Sequence, residues 1–226
     1  MRSYDLIHQL ISLVEEFEKE SQEKELSMVD FTGFLVNYVE KPNHHKITED
    51  VRFGGTEKEV TALAYQIDNN IGRLFVYMSR YAKWYIKKAL ENTQLQSAED
   101  FTCLAILLTH DSLLKGDLIN RNIQEKTSGT EVIRRLIAAG LVRQWDDEND
   151  KRGKRISITQ EGKQLLYIVF NDMNNVGKMI TGDLTFSEKL TLQYILQKLE
   201  LYHHDLHEKK AISGKGDLKL YADKKS

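Results

Sequence analysis

The sequence predicts a mainly α-helical fold that carries one β-hairpin. Three observations support this. A single proline interrupts 226 residues, so long helices can run unbroken. Apolar residues recur at spacings of three and four through most of the chain, and polar capping signatures stand ahead of several such runs. Only between residues 141 and 159 does the apolar period change to two.

The first helix is expected from residue 4 to about 23, where Leu6, Ile7, Leu10, Ile11, Val14 and Phe17 form one stripe. Met28, Phe31, Phe34, Leu35, Tyr38 and Val39 carry a second. Pro42, a polar run and Gly54-Gly55 then read as a linker, so residues 1–55 form an N-terminal helical hairpin extension. Thr56 and Glu59 make a capping box for one long helix reaching about residue 91. Its apolar set, with Ile67, Ile71, Leu74, Met78 and Tyr85, is nearly an a/d seam, which requires a partner helix along its length.

Residues 97–100 repeat the capping signature ahead of Phe101, Leu104, Leu107 and Leu108. Lys115-Gly116-Asp117 breaks the chain and restarts it as a short helix with Leu118, Ile119 and Ile123. A further box at Ser128 and Glu131 opens a helix whose buried stripe is Val132, Ile133, Leu136 and Ile137. Gly140 closes it in a left-handed conformation, with Leu141 packing back on Leu136. The hairpin follows, with strands at 141–145 and 155–159 and a charged tip between them. Thr159 caps the next helix, and Thr185 with Glu188 caps the last. Residues 56–210 thus form the main domain, and residues 211–226 a loose basic tail.

Short helix, turn, capped helix and two-stranded ribbon, in that order, constitute a winged helix-turn-helix, a shape that places one helix in the major groove of a duplex and the hairpin tip beside it. The residue types agree. Thr127, Ser128 and Thr130 are small hydrogen-bonding residues at a helix N-terminus, where free backbone amides suit phosphate oxygens. Arg134 lies further along, and Lys151, Arg152, Lys154 and Arg155 concentrate charge at the wing. Asp147 and Asp150 are expected to stiffen the hairpin and orient an arginine. With a net charge of -2, any nucleic-acid surface has to be a local patch on a mildly acidic body.

From Asp147 through Arg155 the sequence DENDKRGKR resembles the D-x-R-x-x-R wing of the MarR family of bacterial regulators. Ile156 to Gly162 resembles that family's strand-to-helix exit, and Leu136 to Val142 the phrase between its recognition helix and wing. The resemblance covers residues 56 to about 207. It implies a homodimer with long dimerisation helices, two heads on a pseudo-palindromic DNA operator, and a small aromatic effector held between core and dimer interface. Tyr77, Tyr81 and Tyr85 on the long helix are the candidate effector residues. Glu131 stands where the family often has a basic residue.

The expected function is therefore a transcriptional repressor that binds double-stranded DNA and is released by an effector; a winged module for protein contacts is the alternative. An enzyme is not expected, since no nucleophile with base and orienting acid, no phosphate loop and no convincing metal-ligand set can be read. No cofactor or metal is assigned: His203 and His207 have i, i+4 spacing but lack a further ligand. Cys103 stands among leucines and reads as structural. With no leader and no stretch of ~20 apolar residues, no membrane partner is expected, and the protein is placed in the cytoplasm, at the nucleoid.

Overall fold

A computed structural model describes residues 2–20, 27–39, 52, 56–148 and 153–223. The chain divides into two compact units, Met1–Asn70 and Ile71–Ser226. The first contains α1 (Ser3–Glu20), α2 (Met28–Val39) and α3 (Lys58–Ala64). Helices α1 and α2 meet through three rings: Phe17 lies 5.5 Å from Phe31 and 5.4 Å from Phe34 between centroids. Phe17 and Phe31 are buried there, whereas Leu6, Ile7 and Ile11 remain exposed.

The single long helix expected from residue 56 is instead two. Helix α4 spans Ile67–Ala89, and between it and α3 the amides of Tyr65 and Gln66 bond to carbonyls three residues back, Ala62 and Leu63. The side-chain amide of Asn69 donates to the Leu63 carbonyl at 3.0 Å. That bond offers the last turn of α3 a partner other than the next helical amide, which ends the helix without proline or glycine.

The second unit continues with α5 (Ala98–Leu108), β1 (Leu113–Leu114), α6 (Lys115–Arg121), α7 (Lys126–Ala138), β2 (Val142–Asp146), β3 (Lys154–Ile158), α8 (Gln160–Thr181), α9 (Phe186–Glu208) and α10 (Lys215–Asp223). The antiparallel sheet has the order β1-β3-β2, with Arg143 opposite Ser157 and Trp145 opposite Arg155. Its third strand, β1, was not foreseen; Leu113 pairs with Ile156. One core gathers Leu104 and Leu107 of α5, Leu118 of α6, Ile133 and Leu136 of α7, Ile156 of β3, and Leu166 and Val169 of α8. This is the mainly α fold with a hairpin wing that the sequence predicts.

The caps explain where the elements stop. Ser97 accepts from the Asp100 amide, and Thr185 with Glu188 forms a complete capping box. At the end of α7 the Leu141 amide donates to Leu136 O at 3.0 Å and the Gly140 amide to Ile137 O at 2.9 Å, with Gly140 at φ +73. This is the Schellman closure expected there. Thr159 then joins the two sides of the wing: its hydroxyl donates to Gly140 O at 2.8 Å and accepts from the Gly162 amide, while its own amide donates to Leu141 O.

The tail expected to be loose includes α10. Asp217 accepts from the amides of Ser213 and Gly214 and from the Ser213 hydroxyl, closing its first turn, and these bonds hold the Asp217 carboxyl below its ordinary range.

The junction at Thr159 leaves no room at Gly162, where an added Cβ would stand 2.3 Å from the Leu141 carbonyl oxygen, which is backbone and cannot swing away. Gly177, in the same helix, has nothing within 4 Å. Gly162→Ala should therefore lose about 2 kcal/mol or more of stability, while Gly177→Ala gains about 0.8 kcal/mol from helix propensity. Urea unfolding of the two variants checks this, and equal shifts would contradict the junction.

Candidate nucleic-acid interface

The helix expected to begin at Ser128 begins two residues earlier, at Lys126, with Glu125 in extended backbone as its N-cap. The Ser128 hydroxyl donates to Glu125 O rather than capping an amide, and the Gly129 amide reaches the same carbonyl at 2.9 Å. The box between Ser128 and Glu131 is thus not formed. Glu131 turns instead to Arg134, whose Nε and Nη2 donate to its two oxygens at 2.9 and 2.7 Å. The guanidinium bonds hold the Glu131 carboxyl below the usual carboxylate range.

The rotation of α7 is set from inside. Arg135 Nη2 bonds to Asp100 Oδ1 at 2.6 Å, and that carboxylate is only 1% exposed. Asp100 Oδ2 accepts from the Gln96 amide at 2.8 Å, so both oxygens are satisfied. With Arg135 drawn inward, the line Thr127, Glu131, Arg134 faces solvent. Gly129 is buried against Ile119, whose side-chain carbons would stand 2.8 Å from an added Cβ. Helices α6 and α7 therefore approach closely at this glycine.

Between α6, the start of α7 and the base of the wing lies a groove of about 510 Å³, lined by Lys115, Asn120, Gln124, Lys126, Thr130 and Lys154 among others. Of the expected contacts it gathers Thr130 and Lys154. Thr127, Ser128 and Arg134 are exposed on α7 but do not line it. Lys115 and Lys126 were missed; the sequence offered them only as lysines beside a break and a cap. Lys154 is ion-paired with Asp146 across the hairpin. Lys151 and Arg152, with Asp150, lie outside the described residues.

Arg155 is committed elsewhere. Its Nε donates to Asp147, whose side chain is only 4% exposed, and its Nη1 donates to Ser112 Oγ at 3.0 Å. Asp147 thus orients an arginine as expected, and that arginine ties the wing to the segment before β1. On the far end of the groove, Asn120 of α6 donates to Glu208 at 2.9 Å and its oxygen lies 3.1 Å from His207 Nε2. The end of α9 is therefore hydrogen-bonded to the first helix of the reading motif, and this occupies one of the histidines with metal-like spacing. Among the described residues no cluster of three or more His, Cys, Asp or Glu is placed to hold a metal ion, and no helix is long and apolar enough to cross a membrane.

Tyr77 sits near two guanidiniums, Arg73 and Arg80, at 6.0 and 5.8 Å from its centroid, and Tyr85 packs edge-on against Trp84. Tyr81 is exposed. None of the three lines the groove.

A family model described as a winged helix DNA-binding domain matches residues 113–162. Among curated proteins, the HTH-type transcriptional repressor NicR of Pseudomonas putida is 24% identical over 136 residues, covering 60% of this chain and 85% of NicR. Two solved structures share the fold. BpsR of Bordetella bronchiseptica, whose DNA binding is regulated by 6-hydroxynicotinic acid, gives a TM-score of 0.55 at 20% identity, over 58% of this chain and 98% of its own. A MarR variant from E. coli complexed with operator DNA gives 0.52 at 23% identity, over 59% and 98%.

Burial pushes the Cys103 thiol up to about 12 from an ordinary value of 9.0, with the charge of Asp100 adding to the effect. The folded thiol then keeps its proton where the unfolded one releases it, so stability falls as pH rises above about 9. In denaturant melts at about pH 8 and about pH 10, the parent should lose more stability than Cys103→Ala. An equal loss would place the thiol in contact with water.

Proposed function

We propose that this chain is a MarR-type winged-helix transcriptional regulator that acts as a homodimeric repressor on a pseudo-palindromic operator, a reading supported by the winged-helix model match and the likeness to NicR. The observation that carries the reading is the groove, where Lys115, Lys126 and Lys154 surround Thr130 beside the exposed first turn of α7. Two positive side chains from α6 and α7 and one from the wing fit the phosphates flanking a major groove, while Thr127, Ser128 and Arg134 face the bases. Arg134 reaches them by exchanging Glu131 for DNA. Lys151 and Arg152, which fall between the two strands in sequence, add positive charge to this reading.

Dimerisation is supported by two helices of 23 residues, α4 and α9, neither of which has a buried residue. Leu74, Phe75 and Met78 of α4 and Leu192, Ile195 and Leu196 of α9 are each 38–48% exposed. So many large apolar side chains in rows on single helices call for a covering surface, and a second copy supplies matching rows. Two heads then stand about one DNA turn apart, ~34 Å. A small aromatic effector near Tyr77, Tyr81 and Tyr85 releases DNA by favouring a different head spacing. The site of action in this reading is the cytoplasm, at the nucleoid.

Fluorescence anisotropy against duplexes tiled over the upstream region tests the reading. Saturable binding at two chains per inverted repeat is expected, and Lys115→Ala and Lys126→Ala should each flatten the log-log salt slope by about 0.9. Sequence-blind binding with unaltered slopes would move the head to the protein-contact alternative. Glu131→Gln, which frees Arg134, should steepen the slope by up to about 0.9. In sedimentation the parent should be a dimer at micromolar concentration and Ile195→Glu a monomer; a monomeric parent would remove the mechanism.

A further inference from the structure

On the sheet face that carries Arg143 and Ser157 lies a second polar cavity of about 510 Å³, closed by the end of α5 and the first turn of α8. Its lining includes Thr109, His110, Asp111, Arg143, Ser157 and Lys163. None of these residues lines the groove of Lys115 and Lys126.

The cavity is rich in donors and poor in acceptors. Arg143 Nε donates to Ser157 Oγ at 2.8 Å, and its guanidinium lies 5.3 Å from the Trp145 ring centroid, so the cation is held from two sides. Ser157 is 3% exposed, and its own hydroxyl proton has no acceptor among the described residues. Lys163 is half-buried. Among the described residues neither Arg143 nor Lys163 has a carboxylate partner. His110 donates through Nδ1 to Ile106 O at 2.9 Å, since a carbonyl can only accept, and Nε2 stays uncommitted. Asp111, exposed, is the opposing charge in the lining. Helix α5 ends here and α8 begins here, so their dipoles oppose each other and the side chains decide the sign.

A buried hydroxyl with nothing to donate to is costly, and two cations without carboxylate partners among the described residues line the same cavity. We propose that this cavity binds an oxyanion, a phosphate or carboxylate group, held by Arg143, Lys163 and the Ser157 hydroxyl. Asp111 tempers its affinity. The anion is either the headgroup of a small ligand or a backbone phosphate of bound DNA. In both cases it is a contact of the head separate from the groove.

The test uses the full chain with Trp84→Phe, which leaves Trp145 as the only tryptophan. Inorganic phosphate is titrated at constant ionic strength, with chloride as the counter-experiment, and Trp145 emission is read. A saturable response to phosphate but not chloride is expected. Lys163→Met should weaken it about tenfold, the value of one charge-assisted contact, Lys163→Arg should retain it, and Asp111→Asn should tighten it. Equal responses to phosphate and chloride, or a Lys163→Met protein that melts normally and binds phosphate as well as the parent, would overturn the proposal. The source follows from DNA titrations of Lys163→Met: a salt slope flatter by about 0.9 identifies a DNA phosphate, and an unchanged slope a free ligand. The fluorescence readout needs no DNA, so it stands or falls apart from the operator reading.

Discussion

The buried ion pair between Asp100 and Arg135 is the contact on which the reading head depends. A carboxylate 1% exposed is tolerated only if its charge and both oxygens are met, and Arg135 with the Gln96 amide meets them. Breaking such a pair by removing one partner typically costs about 3–5 kcal/mol. Because consecutive residues on a helix point about 100° apart, fixing Arg135 inward also fixes Arg134 outward. The pair therefore acts less as a source of net stability than as a register pin for α7. Arg135 Nε is buried with no hydrogen-bond partner among the described residues, so the contact to Asp100 is made through Nη2.

A second constraint operates at the base of the wing. Gly140, Leu141, Thr159 and Gly162 are bonded or in contact within one small junction, so the end of α7, both strands and the start of α8 move together. Arg155, held by Asp147 and Ser112, adds a second tie. The wing is anchored at its root by these bonds. Ile123, in the turn between α6 and α7, shows the opposite economy: a β-branched residue at φ +50 and 67% exposed, where glycine would be unstrained.

Most of what the sequence made legible is encoded within five residues. The Schellman closure at Gly140, the cap at Thr159 and the box at Thr185 were all readable, because donor and acceptor lie in one turn of chain. The hairpin was readable from its period. Interactions between distant segments were not. Arg135 and Asp100 lie 35 residues apart, so nothing local distinguishes Arg135 from Arg134, and only the second was assigned to the interface. Lys115 and Lys126 became groove residues through the packing of α6 on α7 at Gly129. The box read at Ser128 failed for a related reason: the same residues satisfy a different bond, from Ser128 to Glu125 O, once the helix starts earlier. The break between α3 and α4 depends on one Asn69 side chain, a competition that apolar spacing cannot register.

The pairing of Glu131 with Arg134 also bears on time. An arginine with no partner gains a full contact from any phosphate it meets, and a protein edged with such residues lingers wherever it lands. Here the guanidinium already holds a bidentate carboxylate, so a chance encounter with a stretch of duplex is an exchange of one anion for another, with little to gain. Only a site that also engages the neighbouring threonine and serine makes the exchange worthwhile. On the operator reading, this shortens each unproductive stop, and a regulator present in few copies can scan more of a chromosome in each generation.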